Sequence, residues 1–128
     1  MRLLLDTCVF IWLPSEPSGI SDNAAAVLND ADNELMLSHV SVWEICLKAG
    51  AGKLTLPDET DRWISDQVAA WNLTELEIDY QSLTGTLRLP DHHRDPFDRL
   101  LISQADVHSL SMVSPDPWIA KYTADLVW

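Results

Sequence analysis

The sequence predicts an α/β fold of three layers, α/β/α, with a central parallel sheet of about four to five strands. Three observations lead there. Short apolar runs of strand length alternate with longer segments of helical period along the chain. Units of this length join parallel neighbours through right-handed crossovers, which lays helices on both faces of the sheet. At 128 residues, 47% of them hydrophobic, the chain also suits one globular domain, 1–128, able to bury a core.

The elements follow in order. Residues 1–5, MRLLL, form an apolar run of the kind buried on both faces of a sheet, and Asp6 ends it. Residues 9–13 read as helix. Ser21 caps a second helix through AAAVLND, and ELMLS (34–38) reads as the second strand. Ser41 is read as the start of a helix, VWEICLKA, that ends at Gly50 and Gly52. A helix over 58–71 places Trp63, Val68 and Trp71 on one face, a strand lies in LTELEI (73–78), and another helix covers 79–89. Asp95 is placed as an N-cap with Pro96 at the first helical position, where a missing N–H is no loss. Phe97, Leu100, Leu101, Ala105 and His108 then recur at helical spacing. Residues 111–114 make a strand leading to Asp116, 117–121 a short helical turn, and DLVW (125–128) the last strand. Repeats and low-complexity tracts are absent from the sequence.

Charge and cysteine content narrow the function. Twenty acids against eight Lys and Arg give a net charge of -12, which repels a polyanion, so a broad phosphate-binding surface is excluded. A nucleic-acid ligand would need metal ions or a local cluster of cations. Two cysteines, Cys8 and Cys46, are too few for a disulfide scaffold and point to reduced thiols in the cytoplasm. The opening MRLLLDTCVFIWL is not read as a signal peptide, because Asp6 interrupts it and no small-residue cleavage site follows; no stretch is long enough to span a membrane.

The placement of four acids carries the chemistry. In open α/β sheets, ligands bind outside the carboxyl ends of the strands, where strand order reverses. Asp6 and Asp116 follow strands, and Glu44 and Asp98 lie in the first turns of helices whose N-termini face the same rim. Four converging carboxylates repel one another unless protonated or bound to a cation, and all-oxygen ligands suit Mg²⁺, with Mn²⁺ as an alternative. Each acid also has a structural reading. Asp6 suits a helix cap, and Asp116 in SPDP suits a turn. Glu44 completes a capping box from Ser41, has Lys48 four residues on, and faces away from the stripe Val42, Ile45, Cys46 and Ala49. Asp98 suits the helix dipole, but shares a face with Leu101, Ile102 and Ala105, which turns it inward.

Five segments, LLLDT (3–7), SHVSVWEICLK (38–48), GKLTLP (52–57), HHRDPFDRLLISQA (92–105) and VSPD (113–116), together resemble PIN-domain ribonucleases of the VapC toxin group, the toxic half of type II toxin–antitoxin pairs. The resemblance covers nearly the whole chain, and DPFDRLL is its most specific part. It implies an Mg²⁺-dependent endoribonuclease that hydrolyses RNA phosphodiesters through the quartet Asp6, Glu44, Asp98 and Asp116, with Asp95 a further acid at the rim. By the same resemblance Thr7 and Ser114 supply hydroxyls beside the strand-end acids, and Arg94, Arg99, Lys48 and His93 supply cationic contacts. It further implies a homodimer and a cognate basic antitoxin that places a cation near the acids and a helix in an apolar groove around Trp12 and Trp43. Two positions depart from the pattern: Cys8 stands where relatives often carry histidine or asparagine, and Ser114 where threonine is common.

Rival classes are weaker. A non-catalytic Mg²⁺-binding signalling or partner-binding module remains the alternative, but a receiver-like domain needs an adjacent acid pair and a strand-end lysine that the sequence lacks. His39, His92, His93, Cys8 and Cys46 have no spacing typical of a zinc site.

Overall fold

The computed structural model describes residues 1–92, 94–123 and 125–128. Five strands form one parallel sheet in the order β3-β2-β1-β4-β5: β1 (Arg2–Leu5), β2 (Glu34–Ser38), β3 (Thr74–Leu76), β4 (Ser111–Val113) and β5 (Leu126–Val127). The apolar run of β1 occupies the centre, with Leu3 opposite Leu35 on one side and Leu4 opposite Met112 on the other. Its side chains alternate between two cores, as the period of a strand requires. Leu3 and Leu5 join Leu35, Leu37 and Val113 in one, and Leu4 joins Met36 and Met112 in the other. Helices cover both, so the three layers expected from the sequence are present.

The first core is roofed by α1 (Thr7–Ser15), α2 (Asp22–Leu28) and α4 (Thr60–Ala70), with Phe10 and Trp63 edge-on at 5.4 Å. The second is roofed by α6 (Pro96–Val107), whose Leu100, Leu101, Ile102 and Ala105 are buried. Ser21 caps α2 by accepting from the Ala24 N–H, and Asp95 caps α6 by accepting from Phe97. Pro96 begins α6 as expected. Among the described residues, no helix is long and apolar enough to cross a membrane.

Three boundaries differ from the sequence reading. Helix α3 (His39–Gly50) begins before Ser41, because Ser38, the last residue of β2, caps it by accepting from the Val40 N–H. The capping box is therefore not formed, and Ser41 instead turns inward to accept the Thr7 hydroxyl at 2.8 Å. The buried residues of α3 are Val40, Ser41, Glu44 and Ile45, and Val42 packs against the first core, while Cys46 is exposed, so the apolar stripe is inward only in part and Glu44, read as facing away from it, is buried. Strand β3 is only three residues long. Helix α5 (Tyr80–Gly85) is short and passes into a 3-10 turn, Thr86–Arg88, where a single helix over 79–89 was expected. Close approach to α6 shapes this corner: a Cβ on Gly85 would lie 2.5 Å from Ser103 Oγ.

Candidate active site

The chain leaves β1 in both directions across the sheet, towards β2 and β3 on one side and β4 and β5 on the other. The carboxyl ends of β1 and β4 thus flank the point of reversal, where a crevice opens. Asp6 follows β1, and Ser114 and Asp116 follow β4. Glu44 comes from the second turn of α3 and Asp98 from the first turn of α6. All four acids, with Asp95, line one cleft of about 420 Å³ that Thr7, Cys8, Lys48 and Lys53 also border.

Asp6 is nearly inaccessible, at 6% exposure, and its side chain makes no helix-capping bond. Its Oδ2 instead accepts the Ser114 hydroxyl at 2.6 Å, and Ser114 Oγ in turn accepts the Asp116 N–H at 3.1 Å. One buried hydroxyl therefore couples both strand-end acids. Burial pushes the Asp6 carboxyl pKa up, the charges of Glu44 and Asp116 act in the same direction, and the Ser114 bond opposes them. Asp116 also serves as the turn aspartate foreseen for it, its Oδ1 accepting from the Trp118 N–H at 2.8 Å. Thr7 lines the cleft, but its hydroxyl goes to Ser41 and ties α1 to α3.

Glu44 is 5% exposed, and its two oxygens differ. Oε2 accepts from Lys48 Nζ at 2.5 Å, whereas Oε1 is buried with no hydrogen-bond partner. A buried carboxylate oxygen in this condition is unstable unless something cationic or protic completes it. The hydrogen bond to Glu44 raises the Lys48 pKa, burial opposes this, and the charges of Glu44, Asp95 and Asp98 raise it further. Burial and the charge of Asp6, with a lesser contribution from Asp98, push the Cys8 thiol up to about 12, so this sulfur stays protonated beside the acids.

The donor set is all oxygen, and an orphaned buried oxygen points to a missing partner; both features fit a hard divalent cation held by Asp6, Glu44, Asp98 and Asp116. The acids nevertheless stand apart. Among the described residues, no three His, Cys, Asp or Glu side chains are gathered closely enough to hold a metal ion as they stand. Ser114 restrains Asp6 and Lys48 restrains Glu44, and like charges oppose further approach.

The cations expected at the site separate into two groups. Lys48 borders the cleft. Arg99 does not: its guanidinium donates to the carbonyls of Thr86 at 2.9 Å and Pro90 at 3.0 Å, which fastens the 86–90 segment to α6. Arg94 is exposed and is not among the cleft residues. His93 lies outside the described residues. Sequence reasoning missed Lys53, which Gly52 makes possible: with φ at +71°, Gly52 turns the chain back over the end of α3, and the Lys53 N–H reaches the Lys48 carbonyl at 2.9 Å. The GKLTLP segment was the available signal. Trp12 and Trp43 have different ring neighbours. Trp12 packs near Trp128 at 6.2 Å, and Trp43 is exposed beside Phe97 at 5.2 Å.

Comparison with known proteins agrees with this architecture. Solved structures match with 98% of the chain covered, and three of them illustrate the likeness. They are VapBC2 from Rickettsia felis bound to a promoter DNA fragment (TM-score 0.71, 13% identity, 96% of that chain), VapBC-1 from nontypeable Haemophilus influenzae (0.69, 16%, 95%) and DNA-bound VapBC from Salmonella typhimurium (0.67, 17%, 95%). At these identities the likeness is one of fold. No curated protein sequence gives a match. The family model described as PIN domain matches residues 3–124, and with nearly the whole length so matched, the chain belongs to the PIN domain family.

Proposed function

We propose that the protein is a metal-dependent endoribonuclease, the toxin of a toxin–antitoxin pair, with Asp6, Glu44, Asp98 and Asp116 as its catalytic acids. The observation that carries this reading is the convergence of these four residues, from separate elements, on one cleft in which a buried Glu44 oxygen has no partner. Mg²⁺, or Mn²⁺ in its place, would supply Lewis-acid chemistry at an RNA phosphodiester and make a bound water more acidic.

The chain's own residues do the rest. Ser114 fixes the Asp6 carboxylate and aligns it with Asp116, so the strand-end pair keeps its orientation. Asp95, with one oxygen on the Phe97 N–H, sets the start of α6 and thereby the position of Asp98 three residues on. Lys48 and Lys53 are the cations at the cleft, and they offer a phosphate two attractive contacts in a protein of net charge -12. Thr7, through Ser41, holds the α1 and α3 N-termini at a fixed separation.

The fold neighbours are VapBC structures, which supports pairing with an antitoxin; that the antitoxin is basic, that the chain forms a homodimer and that it acts in the cytoplasm belong to the same proposal. The acidic cleft supports the first of these, since it attracts a basic peptide as it attracts a cation. Purified chain incubated with single-stranded RNA should cleave it in Mg²⁺ and lose cleavage in chelator. Asp98→Asn should lower the rate at least a hundredfold with the fold intact by circular dichroism. Equal cleavage by the variant removes Asp98 from the chemistry. Addition of the antitoxin from the adjacent reading frame should stop cleavage by the wild-type chain; undiminished cleavage in a formed complex refutes the antitoxin reading.

A further inference from the structure

Resting on the reading that the cleft takes a divalent cation, we propose that Lys48 is the site's resident counter-ion: its ammonium holds Glu44 while no metal is bound, yields to the metal, and then serves an RNA phosphate.

The argument begins with Glu44. A carboxyl group at 5% exposure needs its oxygens satisfied, and only Oε2 is, by Lys48 Nζ at 2.5 Å. Among the described residues, five carboxylates and two ammonium groups line the cleft. Lys48 reaches Glu44 from the next turn of the same helix, and 48% of its side chain stays exposed, which leaves the head group a solvated route away. Its backbone is held independently, because the Lys48 carbonyl accepts from the N–H groups of Lys53 at 2.9 Å and Leu54 at 3.2 Å. The ammonium is therefore mobile on a fixed base.

An ammonium and a divalent ion cannot both lie against Glu44 without mutual repulsion across a few ångströms of partly dry cleft. Arrival of the metal displaces the lysine, and the displaced charge remains at the rim beside Lys53. No covalent step is involved; one cation replaces another. A phosphate entering the loaded cleft then meets an ammonium that was previously engaged, so metal binding prepares RNA binding.

Calorimetric titration of chelator-treated protein with Mn²⁺ tests this, using the wild-type chain, Lys48→Gln and Lys48→Arg, with thermal melts of each in the presence and absence of Mn²⁺. Lys48→Gln should bind Mn²⁺ about tenfold more tightly, since a competing charge is gone, while Lys48→Arg stays within about threefold of wild type. Without metal, Lys48→Gln should melt below wild type, and saturating Mn²⁺ should close the gap. Unchanged or weaker Mn²⁺ binding by Lys48→Gln overturns the counter-ion role alone. A wild-type chain that takes up no Mn²⁺ overturns both this role and the metal-dependent reading. If Lys48→Gln does not fold without metal, refolding in Mn²⁺ decides: recovery of the wild-type melt supports the exchange, and failure to recover refutes it.

Discussion

At the scale of single residues, burial decides what each acid does. Asp6 has a raised pKa, so between the usual carboxylate value of 3.8 and its folded value the native state holds a proton that the unfolded chain has lost. Its ionisation thus opposes folding as pH rises. In chelator at pH 7, Asp6→Asn should raise the melting temperature by a few degrees, a gain that should vanish below pH 3.8, and with Mg²⁺ supplied the same variant should not cleave RNA. A lower melting temperature at pH 7 would mean that the carboxylate is compensated more fully than its surroundings indicate. Asp79 shows the opposite sign. Its partial burial raises the pKa, but bonds from His108 at 2.9 Å and from the Ser82 hydroxyl and N–H together lower it to about 2. Its contribution is complete above pH 3.8 and is lost as pH falls through about 2. About a third of the side chain is accessible, so solvent screening leaves about 1–2 kcal/mol for Asp79→Ala at pH 7, shrinking on acidification in urea melts. That the acids share one cleft was legible for Asp6 and Asp116, which follow strands, and for Asp98, which lies in the first turn of a helix; Glu44, in the second turn of α3, also carried a structural reading. The fate of Arg99 was not legible, since the carbonyls that bind it belong to the 86–90 segment, whose return onto α6 has no sequence signal.

Among the elements, strands and helix starts were legible and helix faces less so. Three consecutive leucines in β1 admit only a strand covered on both sides, and the structure buries all three. In α3 the apolar periodicity misled, because two of the inward positions are Ser41 and Glu44, which an apolar-stripe rule assigns to solvent. Glu44 belongs inside there because the middle of α3 also forms a wall of the cleft, and Ser41 because it accepts the Thr7 hydroxyl, while Val40 and Ile45 of the same helix pack in the two cores. The 3-10 turn after α5 was also illegible, since it follows from contact with α6. Gly85→Ala should cost about 1–3 kcal/mol, through the 2.5 Å approach of its Cβ to Ser103 Oγ. Combining it with Ser103→Ala, which also forfeits the 2.6 Å bond to the Ser82 carbonyl, should cost less than the sum of the two single changes. Strict additivity in denaturant titrations would show that the backbone relieves the contact by itself.

For the whole molecule, a net charge of -12 with two lysines at the cleft sets how an RNA, if bound, would be held. Two phosphate contacts on a single strand release few counterions, so the logarithm of affinity for a non-cleavable RNA should fall with the logarithm of salt at a slope of about -1.4 in fluorescence anisotropy. A slope several times steeper would reveal a basic surface elsewhere, against the composition. The topology also governs when the cleft exists. Its acids stand at positions 6, 44, 98 and 116, and β4, which presents the last of them, pairs with β1 across more than a hundred residues of chain. Such distant pairing is slow and comes late in folding. A chain still emerging from the ribosome holds Asp6 and Glu44 long before Asp116 can join them, so a nascent molecule is an unarmed one. If the protein cuts RNA, a ribosome-bound chain that has not yet yielded Asp116 carries only part of the blade, and an inhibitor has nothing to restrain until β4 has joined β1.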